Sequence, residues 1–214
     1  MAKPLRALVV ANGVLPEAKL VRERAALADL VVAADGGADG ALACGVTPNA
    51  VVGDLDSVSA AARDLLGSER LHRDAGPERT DLQKALAYAL GRGAKRVDIV
   101  GWTGGRADHF LANLSILVLA RGQANVRLVD DHFEVRLVVG RTTVSAAPGT
   151  VVSLVAIGRC EGVTTRGMRW ELTDATLDFS PRGVHNEVLR SPAEVSVRTG
   201  DLLLFEGRWV EHHA

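Results

Sequence analysis

The strongest constraint in this chain is a change of rhythm near residue 130. Up to that point the β-branched runs "RALVVA" (6–11), "LVVAAD" (30–35), "AVVGD" (50–54), "RVDIVG" (96–101) and "NVRLVD" (125–130) alternate with stretches rich in Ala, Leu and Arg. The apolar spacing of those stretches predicts helices near 17–28, 37–44, 58–67, 80–92 and 107–121. Apolar strands that alternate with helices imply a mainly parallel sheet covered on both faces. After residue 133 the helical spacing disappears. "FEVRLVVG", "TTVSAAPG", "TVVSLVAIG", "GMRWELT", "ATLDF", "AEVSVRTG" and "DLLLFEG" read as short strands divided by Gly, Pro and Asp turns. The expected architecture is an α/β N-terminal domain with a Rossmann-like, mainly parallel sheet over residues 1–132, followed by a small all-β sandwich domain over residues 133–214.

Composition narrows the function classes. With 25 Lys+Arg against 26 Asp+Glu the formal charge is -1, which argues against a nucleic-acid platform and against an acidic disordered tail. Any charged site must be local. Cys44 and Cys160 match no metal or redox spacing, so no disulfide framework is expected and a cytoplasmic location fits best. The apolar run in "MAKPLRALVVANG" is too short for a signal peptide, and no stretch approaches the length of a membrane span, so a soluble protein is expected.

In an open parallel sheet, ligands bind beyond the carboxyl ends of the strands. Asp35 ends one predicted strand, Asp54 ends the next, and Asp56 follows two residues later. Two carboxylates about 4 Å apart repel by roughly 4 kcal/mol at an effective dielectric near 20, so such a cluster keeps protons or recruits a cation. Hard oxygen donors without His or Cys point to Mg2+. Asp54 and Asp56 equally suit an Asx turn, with Ser57 or Ser59 capping the next helix.

Two further segments add candidates. In "PERTDLQKAL", Thr80 and Gln83 have capping-box spacing, and Asp81 sits in the first turn, where the helix dipole favours it. Lys84, one turn on, could reach a phosphate, although a solvated helix lysine is the commoner case. In "VGWTGGRADHFLANL" a strand runs into a Gly-rich turn at Gly104-Gly105, the general arrangement for holding phosphate oxygens, although the P-loop pattern is absent. Arg106 suits bidentate phosphate contact, and Asp108 is the expected N-cap of the helix that follows. Arg106, His109 and Asn113 would share one helical face.

Taken in order, "AADGGADG", "GDLDS", "TDLQKAL" and "GWTGGRADHFLANL" resemble the thiamine pyrophosphokinase (thiamine diphosphokinase) family. The resemblance implies a homodimer that transfers a pyrophosphoryl group from ATP to the hydroxyl of thiamine and releases AMP. It further implies that Asp35, Asp54, Asp56, Asp81 and Asp108 form the Mg2+/ATP site. Arg106 and the Gly104-Gly105 backbone would hold the triphosphate, with Thr80, Lys84 and His109 beside it. Asp56 and Asp81 are both candidates for taking the hydroxyl proton. In the β domain, Trp170 after "GMR" and the pair His185-Asn186 match the family's thiamine-binding half, which in that family faces a partner subunit. The chain departs from the pattern at His185, where Ser is usual, and at Glu78, where many members carry Asp.

Two other classes are compatible with part of this pattern. "VVGDLDSV" has the form of the haloacid-dehalogenase-type phosphohydrolase motif, with Asp54 as nucleophile and Asp130-Asp131 as the later acidic pair. It would leave "ADGG" and "GGRADH" without a role. A thiamine or nucleotide sensor without turnover would be expected to lack some of the five aspartates, and all are present.

Overall fold

The computed structural model describes residues 3–210, and the chain divides into two compact units between Asp131 and His132. In the first unit, β1 (Leu5–Val10), β2 (Leu30–Ala34), β3 (Ala50–Gly53), β4 (Leu71–Arg73), β5 (Ala94–Val100) and β6 (Asn125–Val129) alternate with helices. The helices are α1 (Ala18–Leu27), α2 (Gly37–Ala43), α3 (Ala60–Leu66), α4 (Asp81–Gly91) and α5 (Ala107–Leu119). Strand order is β4-β3-β2-β1-β5-β6, and every pairing is parallel. The chain winds outward from β1 to β4 and then returns to the other side of β1, so the order reverses between β1 and β5. Such a reversal opens a crevice at the carboxyl ends of the two strands.

Local chemistry explains these elements. The strands are Val, Ile, Leu and Ala almost throughout because helices shield them from water: Leu8, Val10 and Val31 pack with Leu20 and Val21 of α1 and Ala41 of α2. Each buried Val or Leu side chain contributes about 1.5–3 kcal/mol. The capping box expected at α4 is present, with Gln83 N–H donating to Thr80 Oγ1 at 3.3 Å and Thr80 N–H to Gln83 Oε1 at 2.9 Å. At α3, Ser59 rather than Ser57 is the cap, accepting from Ala62 N–H at 3.1 Å. At α5, Arg106 takes the N-cap place and Asp108 falls in the first turn, so the helix begins ahead of the expected cap. The strand β4 is short, half-exposed and polar at "LHR", which hides it from an apolar-run criterion.

The second unit contains β7 (Phe133–Leu137), β8 (Arg141–Val144), β9 (Thr150–Arg166), β10 (Ala175–Leu177), β11 (Asn186–Glu187), β12 (Ala193–Ser196) and β13 (Thr199–Val210). The order β7-β13-β9-β12-β8 is antiparallel, and β10 and β11 both pair with β9. Val152, Leu154, Cys160, Val163, Leu177, Val195, Leu202 and Leu204 form the core. Both cysteines are buried. Two segments differ from expectation. β9 runs straight through Gly158 and Gly162, whose positive φ values of 82° and 69° are absorbed within the strand instead of ending it. "GMRWELT" is not a strand: Gly167 has φ 76°, its N–H donates to Glu171 Oε1 at 2.7 Å, and the segment curls, leaving Met168 in an isolated bridge with Val188.

Candidate active site

A cleft of about 440 Å³ lies at the carboxyl ends of the parallel strands. Asn12 and Gly13 follow β1, Asp35 follows β2, Asp54, Asp56 and Ser57 follow β3, and Gly101 to Arg106 follow β5; Thr80 and Asp81 open α4, and His109 and Asn113 come from α5. Gly13 N–H donates to Gly101 O at 2.9 Å and Val14 N–H to Thr103 O at 2.7 Å, which ties the two loops at the crevice together.

Asp35, Asp54 and Asp81 each offer a carboxylate oxygen within 4.8 Å of the others. Three backbone features bring them together. Asp35 turns the chain from β2 toward α2 with φ 46°, a region that non-glycine residues seldom occupy and that recurs at functional sites. Leu55 has φ 68° and is buried with Ala33, Val51 and Val58, an apolar pin between its two acidic neighbours. Gly53 makes room: a Cβ there would lie 2.9 Å from Asp35 Cβ and 3.0 Å from Asp81 Oδ1.

The electrostatics follow from burial. Asp35 is 4 % exposed; Oδ2 accepts from Ser57 N–H at 3.2 Å, whereas buried Oδ1 has no hydrogen-bond partner among the described residues. Desolvation raises its pKa above the usual carboxylate value, and the Asp81 charge adds to the rise, while hydrogen bonds from Ser57 and Gly36 oppose it. A buried carboxylate oxygen without a donor, in an all-oxygen cluster without His or Cys, fits a hard divalent cation such as Mg2+.

The remaining candidates are distributed unevenly. Asp56 lines the cleft but stands outside the triad; its N–H donates to Asp54 Oδ1 at 3.2 Å, an Asx turn, and Ser57 Oγ donates to Asp56 Oδ1 at 2.9 Å. Asp108 is also outside the triad, paired with Arg106 Nη2 at 2.6 Å. The guanidinium holds this exposed carboxyl down at about 2. Thr80, Gly104, Gly105, Arg106 and His109 all line the cleft. Lys84 does not: it is buried and donates to Asp81 Oδ1 at 2.9 Å. Glu78 is exposed and is not among the lining residues. Asn12, Gly13, Trp102 and Thr103 line the cleft without having been expected there. Applying the strand-end rule to β1 would have exposed the first two; Trp102, buried and stacked on Phe110 at 5.6 Å, carries no such signal.

In the second unit, Trp170 is 57 % exposed. Asn186 clamps its backbone, accepting from Trp170 N–H at 3.1 Å and donating to Trp170 O at 2.7 Å. Arg169 pairs with Glu187 at 2.7 Å, and its guanidinium carbon lies 5.8 Å from the Trp170 ring centre. His185 has φ 63°, and its N–H donates to Ser153 Oγ at 2.9 Å.

A parallel α/β unit with an acidic, cation-ready cleft at its switch point, joined to an antiparallel β unit, defines a class of two-domain proteins suited to handling phosphate-bearing ligands. Within that class the assignment is specific. Residues 21–129 match the family model described as thiamin pyrophosphokinase, catalytic domain, and residues 141–204 match that of the thiamin pyrophosphokinase vitamin B1 binding domain. The chain belongs to the thiamin pyrophosphokinase family.

A curated relative, thiamine pyrophosphokinase of Bacillus subtilis, is 33% identical over 112 residues, 50% of this chain and 52% of that protein. Thiamine pyrophosphokinase 3 of Oryza sativa is 26% identical over 181 residues, covering 78% of this chain and 68% of the relative. The chain thus spans about half the length of the first relative and about two thirds of the second. Among solved structures, that of thiamine pyrophosphokinase from Bacillus subtilis superposes with a TM-score of 0.82 at 25% identity, covering 94% of this chain and 98% of the other. The yeast thiamin pyrophosphokinase structure has the same fold, with a TM-score of 0.80 at 16% identity, covering 97% and 87%. The phosphohydrolase pattern gains no support. Its first motif sits on β3, and the carboxylate of Asp131 accepts the N–H of Glu17 at 3.0 Å and lies outside the cleft lining.

Proposed function

We propose that this protein transfers a pyrophosphoryl group from ATP to the hydroxyl of thiamine, giving thiamine diphosphate and AMP. The observation that carries the reading is the pairing of both family domains with an acid triad at the switch-point cleft. Asp35, Asp54 and Asp81 would hold Mg2+, which when bound supplies charge neutralisation at the phosphate oxygens. Arg106 and the Gly104-Gly105 backbone face the same cleft and orient the triphosphate. Asp56, in the cleft but outside the triad, is left to accept the proton of the thiamine hydroxyl. Asp108 serves by holding Arg106 through its ion pair.

In the second unit, exposed Trp170 offers a flat face to the cationic thiazolium, and Asn186 fixes the Trp170 backbone. His185 flanks this clamp. The Rossmann-like reading of the first unit rests on its strand order, and the sandwich reading of the second on its antiparallel pairing. A homodimer in which Trp170 serves the partner's ATP cleft, a cytoplasmic location and no nucleic-acid partner complete the proposal. Among the described residues no helix is long and apolar enough to cross a membrane.

The test is to incubate the protein with Mg-ATP and thiamine. AMP and thiamine diphosphate in equal amounts are expected; ADP with thiamine monophosphate would contradict pyrophosphoryl transfer.

A further inference from the structure

Lys84 sits on the second turn of α4 with 5 % of its surface exposed. A buried ammonium is costly unless it is paired, and Asp81 Oδ1 at 2.9 Å is its partner. This lysine is therefore not free to meet a phosphate in the cleft. Its partner is also one of the three carboxylates that converge within 4.8 Å, and Asp35 in that group is itself cut off from water. The ammonium reduces the formal charge of the cluster from three to two, the complement of a single divalent ion. Without it, three carboxylates at this spacing repel strongly, and a divalent cation is the charge left to offset them.

We propose that Lys84 is a positioning residue that acts through Asp81 as a resident counter-ion, keeping the three carboxylates assembled in the cation-free protein and weakening their hold on a divalent cation. The inference rests on reading Asp35, Asp54 and Asp81 as metal ligands. Its consequence is that the site is formed before the cation arrives and releases it readily, as an ion that enters and leaves with a nucleotide requires.

The experiment measures Mn2+ binding by electron paramagnetic resonance, without nucleotide, to the full chain and to Lys84→Met, Lys84→Arg and Asp54→Asn. Removing a fixed positive charge beside the site is expected to tighten Mn2+ binding at least about tenfold in Lys84→Met, with a larger Mg2+-induced rise in Tm than in the parent chain. Lys84→Arg keeps the charge and is expected to stay within about threefold of the parent. A side chain that merely packed would not tighten ion binding when replaced. Should Lys84→Met fail to fold, Lys84→Gln removes the charge with a polar tip and is read in the same way. Mn2+ binding that Asp54→Asn abolishes but Lys84→Met leaves unchanged or weakens overturns the role of Lys84 while the metal assignment stands. Mn2+ binding indifferent to Asp54→Asn, or absent from both the parent and Lys84→Met, overturns the metal assignment and this inference with it.

Discussion

Asp54 and Asp56 stand one residue apart and end in different surroundings because Leu55 between them is pinned in the core with φ 68°. Asp54 joins the triad, while Asp56 turns to the cleft wall beside Ser57. Asp54→Asn is accordingly expected to lower kcat by about 100-fold or more while leaving unfolding free energy within about 0.5 kcal/mol of the parent chain. Steady-state AMP release alongside urea titration checks this, and near-normal turnover would remove Asp54 from the site. Asp35 gives a pH signature. Its folded pKa is raised by burial and by Asp81, so the folded protein holds a proton that the unfolded chain has already lost. The resulting stability is fully present below the ordinary carboxylate value of 3.8 and disappears as pH rises through the folded value. Thermal melts in EDTA should show the parent chain losing stability relative to Asp35→Asn as pH climbs from about 4 toward neutrality. A difference between the two that does not vary with pH would sink the argument.

At the scale of elements, α4 carries both Asp81 of the acid triad and the Lys84 that pairs with it, and its first turn is held by the Thr80–Gln83 box. Thr80→Ala is expected to cost about 1 kcal/mol in chemical denaturation, and to reduce activity more than that loss implies because Asp81 rides on the loosened turn. Activity that merely tracks the folded fraction would contradict this. The helices and five of the strands of the first unit were legible because runs rich in β-branched residues alternate there with Ala- and Leu-rich periods. The full length of β9 was not: only its first half, to Gly158, reads as a strand, because Gly158 and Gly162 look like terminators until their partners across the sheet are known. Nor was the choice of three aspartates out of five, which depends on the left-handed turns at Asp35 and Leu55. The spacing of Asp81 and Lys84 is that of an ion pair on one helix face, a pairing that neither the phosphate contact nor the solvated lysine expected from sequence included.

For the whole molecule, the proposed dimer makes a quantitative expectation. If Trp170 of one subunit serves the cleft of the other, inactive Asp54→Asn and inactive Trp170→Ala chains, mixed and allowed to exchange, should recover about a quarter of parental activity, since each mixed dimer regains one intact site. No recovery after demonstrated exchange would place both halves of the site on one chain. The position of β1 also has a bearing on kinetics. β1 pairs with β2 close by in sequence, yet its other neighbour, β5, does not begin until Ala94. The middle of the sheet is thus synthesised well before its second flank, and the crevice between β1 and β5 cannot exist until that flank arrives. A ligand bound there grips the seam that closes late, so Mg-ATP should slow unfolding far more than it speeds refolding, a difference that stopped-flow denaturant jumps would read directly.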